Sequence, residues 1–210
     1  MSDGLVSNLS LVAGVAGAST ERSNVLVGGV AGLVAGAVSM AVGEYVSVTA
    51  NRELLERELD IERREIENDP AGETRELAGI YVERGLDRET AMAAAAQIMG
   101  DPATALETHA REELGVDPGQ LGSPVGAALA SFGAFALGAL VPLLPWFVGS
   151  GTAAIVTSLV LGVVAAAVLG GGVARLTRRP LWRGISRQVG LLLVAFAVTN
   201  VVGRLVGDAV

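Results

Sequence analysis

The chain has no cysteine and no lysine, a single histidine and eight aromatic residues in 210. Without cysteine there can be no disulfide, no thiolate metal site and no cysteine nucleophile. The single histidine, His109, excludes a multi-histidine catalytic site and lies in the acidic insert with no partnering Ser or Thr nucleophile evident, and no phosphate loop or nucleotide motif is present. The chain therefore reads as a non-enzyme. Its net charge of −7 gives no basic face of the kind that nucleic acid requires. What remains for a metal are carboxylates, His109, four methionines, backbone and water. Met1-Ser-Asp-Gly4 has no basic region ahead of the apolar run and does not read as a signal peptide.

What the chain has in excess is apolar residues, 51% of the total, together with 28 glycines. Gly and Ala are frequent in membrane helices because they allow close backbone approach. Charge is concentrated in one block. Asn51–Pro118 holds 18 of the 22 acidic residues and 8 of the 15 arginines, a balance of −10 that leaves +3 for the rest. The division is into 1–50, carrying transmembrane helices 1 and 2; 51–118, an acidic helical domain; and 119–210, carrying helices 3–5. The fold class expected is an all-α membrane protein of five transmembrane helices, with a cytoplasmic helical metal-binding domain between helices 2 and 3.

The spans are expected at Gly4–Ser19, Val25–Val48, Pro124–Leu144, Thr152–Val173 and Ile185–Val206. The first is short and carries Ser7, Asn8 and Ser10, so it should face protein or a pathway rather than lipid alone. Thr20–Asn24 reads as a brief loop, and Pro142-Leu-Leu-Pro145-Trp146 as the turn after the third span. The second span should continue unbroken into the charged block, because no turn signal precedes Asp69-Pro70. Three short helices should follow, over Ala71–Arg84, Arg88–Met99 and Ala103–Leu114, sharing a modest core. Arg175 to Arg187 carries five arginines and no acid, which makes the loop between spans 4 and 5 cytoplasmic. The same arginines suit anionic-lipid contact. Parity then places the N-terminus and acidic domain in the cytoplasm and the C-terminus outside.

Candidate metal ligands follow from spacing. Glu62 and Glu65 share a helix face, and Glu73 and Glu76 repeat that spacing after Pro70. Pairs of this kind on facing helices are how bundles build metal sites, although charge runs are more often solvated faces. His109 and Glu113, four apart and with Glu112 adjacent, offer imidazole plus carboxylate. Within the second span, Gly28, Gly32, Gly36, Met40 and Glu44 recur every four residues, a small-residue groove ending in a thioether and a carboxylate. Asp3 heads the first span, either as a helix cap or as a pathway residue.

Together, Asp3-Gly4, the run Gly36–Tyr45, the string Glu58–Glu76, Glu112-Glu113-Leu-Gly115 and Pro142-Leu-Leu-Pro145 resemble the vacuolar iron transporter (VIT) family across the whole chain, most closely its prokaryotic members. The resemblance implies a homodimer in the lipid bilayer with a pathway between subunits, lined by spans 1 and 2. It implies export of ferrous iron, in some members manganese, from the cytoplasm in exchange for protons, with no prosthetic group. It carries the pathway role to Asp3 and Met40, and metal binding to Glu62, Glu65, Glu73, Glu76 and Glu113. A prokaryotic member would sit in the plasma membrane. Eukaryotic members carry a glutamate where this chain has Gly32, and Glu44 is placed to supply the lost carboxylate. They also carry a methionine pair where this chain has His109-Ala110. Two other outcomes stand beside iron export: export of manganese or a broader set of divalent cations, and a membrane-anchored metal buffer or sensor that moves nothing.

Overall fold

A computed structural model describes residues 1–19 and 21–209. The described residues are helical or irregular, with no strand. They form two compact units. One comprises Met1–Tyr45 and Val125–Val210; the other is Val46–Pro124.

In the first unit, α1 is Ser2–Ala18 and the N-terminal part of α2 (Arg22–Asn68) follows it. After the second unit come α6 (Pro124–Leu140), a 3-10 turn at Val141–Leu143, the short α7 (Leu144–Val148), α8 (Gly151–Leu176) and α9 (Leu181–Gly207). Among the described residues, four helical segments are long and apolar enough to cross a membrane: α2, Pro124–Val148, α8 and α9. The chain is thus a multi-pass membrane protein by composition and length. With 17 residues, α1 reaches only about 25 Å at about 1.5 Å per residue, short of a hydrocarbon core of about 30 Å.

The expected turn at Pro142–Trp146 is not where the chain turns. The helical path continues through both prolines to Val148. Pro142 and Pro145 each stand in a helix's first turn, where a missing N–H costs nothing. The Pro142 carbonyl also accepts a 2.8 Å hydrogen bond from Ser158 Oγ. The break falls at Gly149 and Ser150, both extended, before Gly151 at φ +63°. Of the expected 1–2 loop, Thr20 lies outside the described residues, and α2 already begins at Arg22.

Three apolar clusters hold this unit together. Val12, Ala16, Val25, Leu143, Trp146 and Ala154 form one. Leu5, Leu9, Ala166 and Leu192 form another, and Ala37, Phe135 and Ala139 a third. Glycine sets how closely the backbones meet: a Cβ on Gly138 would overlap the Met1 carbonyl, and one on Gly203 the Gly14 carbonyl. That is the contact small residues permit in an apolar setting, where packing rather than the hydrophobic effect drives helix association.

In the second unit, α2 runs unbroken to Asn68, as the absence of turn signals implied. Three short helices follow: α3 (Pro70–Glu83), α4 (Arg88–Ile98) and α5 (Pro102–Glu112). Each starts on an aspartate. Asp69 accepts from Gly72 N, Asp87 from Glu89 N and Thr90 N, and Asp101 from Thr104 N. Each caps orphan N–H groups of a first turn. The hydrogen bonds hold Asp87 and Asp101 below the ordinary aspartate range, so they are ionised caps. Leu77, Ala78, Ala91 and Ala95 form the expected core, with Tyr81 and Ile98 packed against it.

Candidate metal centre

Four side chains converge in the second unit. Glu62 lies in the charged half of α2, beyond its apolar run; Glu73 lies in the first turn of α3; His109 is near the end of α5 and Glu113 is its C-cap. His109 Nδ1 stands 2.7 Å from Glu113 Oε1, 3.0 Å from Glu62 Oε1 and 3.6 Å from Glu73 Oε2. One potential ligand atom from each lies within 4.8 Å of every other. The spacing is local in origin. His109 and Glu113 share a face at i, i+4, and Pro70 with its Asp69 cap starts α3 immediately after α2, which brings Glu73 to Glu62.

The cluster is shielded from water. The His109 side chain is fully buried, and those of Glu62 and Glu73 are 8% and 12% exposed. Burial first, then the neighbouring Glu113, Glu73 and Glu65, pushes Glu62 up to about 7, against a smaller opposing pull from His109. Glu73 is raised too, by burial first and then by Glu76, Glu113 and Glu65. Crowded carboxylates in a low dielectric resist ionising unless a cation joins them.

One proton on Nδ1 can be donated to one oxygen at a time, yet three carboxylates face that nitrogen. Glu62 Oε1 and His109 Nε2 have no hydrogen-bond partner. A divalent ion about 2.1 Å from its ligands sets neighbouring ligand atoms about 3.0 Å apart and opposed ones about 4.2 Å apart. Of the separations from His109 Nδ1, 3.0 and 3.6 Å fall in that range and 2.7 Å lies just short of it. The donor set, three carboxylates and one imidazole, suits a divalent cation between the hard magnesium type and the imidazole-preferring transition metals.

The other expected ligands are placed differently. Glu65 and Glu76 are exposed and outside the four-residue group, close enough to raise Glu62 and Glu73 respectively. Glu112 pairs with Arg84, the C-cap of α3.

In the first unit, a cavity of about 340 Å³ is lined by Asp3, Ser7, Asn8, Ser39 and Met40, with Gly32, Gly36, Leu11 and Phe135 completing the wall. It brings together Asp3 from α1 and Met40 from α2. Asp3 accepts a 3.3 Å hydrogen bond from Ser7 Oγ. Glu44 is exposed and does not line this cavity. Asn8 is the lining residue that spacing did not single out. Its signal was only that a carboxamide occurs in an apolar helix.

An all-helical membrane protein with a compact acidic insert carrying carboxylates and imidazole is the class these features define. The VIT family profile matches residues 1–204, and the chain belongs to that family. It is similar to a vacuolar iron transporter of Centaurea cyanus, 30% identical over 88% of this chain and 76% of that one. It is also similar to vacuolar iron transporter 2 of Oryza sativa subsp. japonica, 34% identical over 79% and 68% respectively. With a vacuolar iron transporter of Acanthamoeba castellanii it shares 44% identity over 60% of this chain, which spans 48% of that longer protein.

Proposed function

We propose that this protein exports divalent metal cations from the cytoplasm, with ferrous iron as the principal cargo, by exchange for protons. The observation that carries the reading is the convergence of Glu62, Glu73, His109 and the more exposed Glu113, with one potential ligand atom from each within 4.8 Å of the others. The names of the relatives favour iron. The acidic insert captures the cation on the cytoplasmic side, with Glu65 and Glu76 as a charged rim. The cation then crosses by way of Asp3 and Met40. A protonated carboxylate is a poor ligand, so protons entering from outside displace the metal and drive release.

In this reading α1 is the fifth span. Its buried Asn8 and exposed Asp3 fit a helix that faces protein and a pathway. The basic stretch Arg175–Arg187 sets the orientation, leaving the N-terminus and insert cytoplasmic and the C-terminus outside. The working form is a homodimer in the plasma membrane. Its support is the α2 face formed by Val27, Val30, Val34 and Val38, all exposed in the single chain. The protein is a transporter and not an enzyme.

The test is ferrous iron flux into liposomes carrying the purified protein, with and without a pH gradient, beside Met40→Ala. Flux that follows the gradient and is lost in the variant is the expected result. Metal binding without flux under either condition would replace transport with a membrane-anchored buffer or sensor. Competition by manganese in the same assay separates iron export from a broader divalent cargo.

A further inference from the structure

Asn8 on α1 is 2% exposed, in the wall of the cavity that holds Asp3 and Met40. Its Nδ2 donates a 2.6 Å hydrogen bond to the Ala139 carbonyl of α6. A carbonyl can only accept, so the amide nitrogen must face it and the orientation of the carboxamide is fixed. Oδ1 is consequently turned the other way, and it has no partner. Leaving a buried acceptor without a donor costs on the order of 1–3 kcal/mol. On α2, Gly32 faces it closely: a Cβ there would lie 3.1 Å from Asn8 Oδ1 and would overlap Leu11 Cδ2. The result is an oriented, unpaired oxygen dipole in the same cavity as a carboxylate, a thioether and the Ser7 and Ser39 hydroxyls.

We propose that the Asn8 carboxamide oxygen is a ligand for the divalent cation in this cavity, completing with Asp3 and Met40 a mixed oxygen–thioether subsite. The inference rests on the pathway reading above and adds a third residue to it. Carboxamide oxygens are ordinary ligands of divalent cations, and a neutral ligand suits a transit site. It draws the ion from water without adding a second fixed negative charge that would hold it. Gly32 is the complementary feature, because a side chain there would close the approach to Oδ1. Glu44, outside the cavity, has no part in this subsite.

The experiment measures Mn2+ binding by equilibrium dialysis of the full-length protein in detergent. The insert cluster is first disabled by Glu62→Gln, Glu73→Gln and Glu113→Gln, so that what remains reports the cavity. The expected result is residual binding that Asn8→Leu weakens roughly tenfold or more, the scale of losing one polar contact to a charge. Asn8→Asp, which keeps an oxygen at the cavity, retains it. Asn200→Leu is the control. Asn200 makes the same kind of amide bridge, Nδ2 to the Ala13 carbonyl at 3.0 Å, away from this cavity.

Absence of residual binding, unchanged affinity in folded Asn8→Leu, or an equal loss in Asn200→Leu would each overturn the proposal. The last would mark Asn8 as a helix clamp only. If Asn8→Leu does not fold, Gly32→Ala carries the test, and unchanged Mn2+ affinity there is equally fatal. Wild-type flux keeps the two readings apart. Asn8-dependent binding without flux sinks transport and leaves the subsite. Flux with an unaltered KM in Asn8→Leu sinks the subsite and leaves transport.

Discussion

The acidic insert and the α1–α2 cavity handle charge in opposite ways. The insert gathers three carboxylates around one fully buried imidazole, and burial raises Glu62 to about 7. The cavity has one exposed carboxylate, Asp3, and is otherwise lined by neutral oxygens, a thioether, two glycines and the apolar Leu11 and Phe135. A crowded, desolvated carboxylate cluster favours holding a cation, because the ion relieves mutual repulsion. A sparse neutral lining favours letting it go. On the proposed function the contrast is that of a capture site with a transit site, and it can be broken from either side.

The largest effect is expected at the crowded site. Glu62→Gln with Glu73→Gln should lower the insert's Mn2+ affinity by more than the roughly 10–100-fold typical of outer-shell changes. Calorimetric titration checks this, and wild-type affinity in the double variant would remove the metal centre. Next is pH. Glu62 must lose a proton to bind metal, so affinity should rise from pH 6 to 8 and flatten in Glu62→Gln.

Stability without metal should run the other way. Glu62 lies above its unfolded value of 4.5, so the folded state binds the extra proton between 4.5 and about 7. Its contribution is fully present below pH 4.5 and is lost as pH rises through about 7. Thermal melts of metal-free protein at several pH values test the sign, with Glu62→Gln flattening the dependence. His109→Met comes next, exchanging imidazole for a softer thioether. It should change relative affinities among divalent cations while leaving one ion bound, as competition titrations would show.

The smallest effects separate structural acids from functional ones. Asp87→Ala removes the α4 cap and should lower insert stability slightly, with Mn2+ affinity unchanged. Glu112→Gln breaks a partly exposed pair with Arg84 and should cost at most about 1 kcal/mol. It too should leave metal binding unchanged, and a tenfold loss in either variant would enlarge the centre.

The continuity of α2 to Asn68 and the three short helices were legible in the chain, because Pro and Gly act through local backbone geometry. The turn after α6 was misplaced. Two prolines look like a stop in sequence, but a proline in a helix's first turn interrupts nothing. Spacing proposed seven insert ligands. It could not distinguish Glu62 and Glu73 from Glu65 and Glu76, since each pair shares a helix face and only packing decides which member is buried.

The composition alone determined that this is a helical membrane protein with its acid in one block, because hydropathy and helical period are properties of the chain. Tertiary structure decided which acids are caps, which pair with arginine, and which meet at His109. It also decided that the Asn8 carboxamide is held by Ala139 with its oxygen buried and unpaired. Burial and orientation arise only when distant segments pack, and those two quantities turn a polar side chain into a ligand.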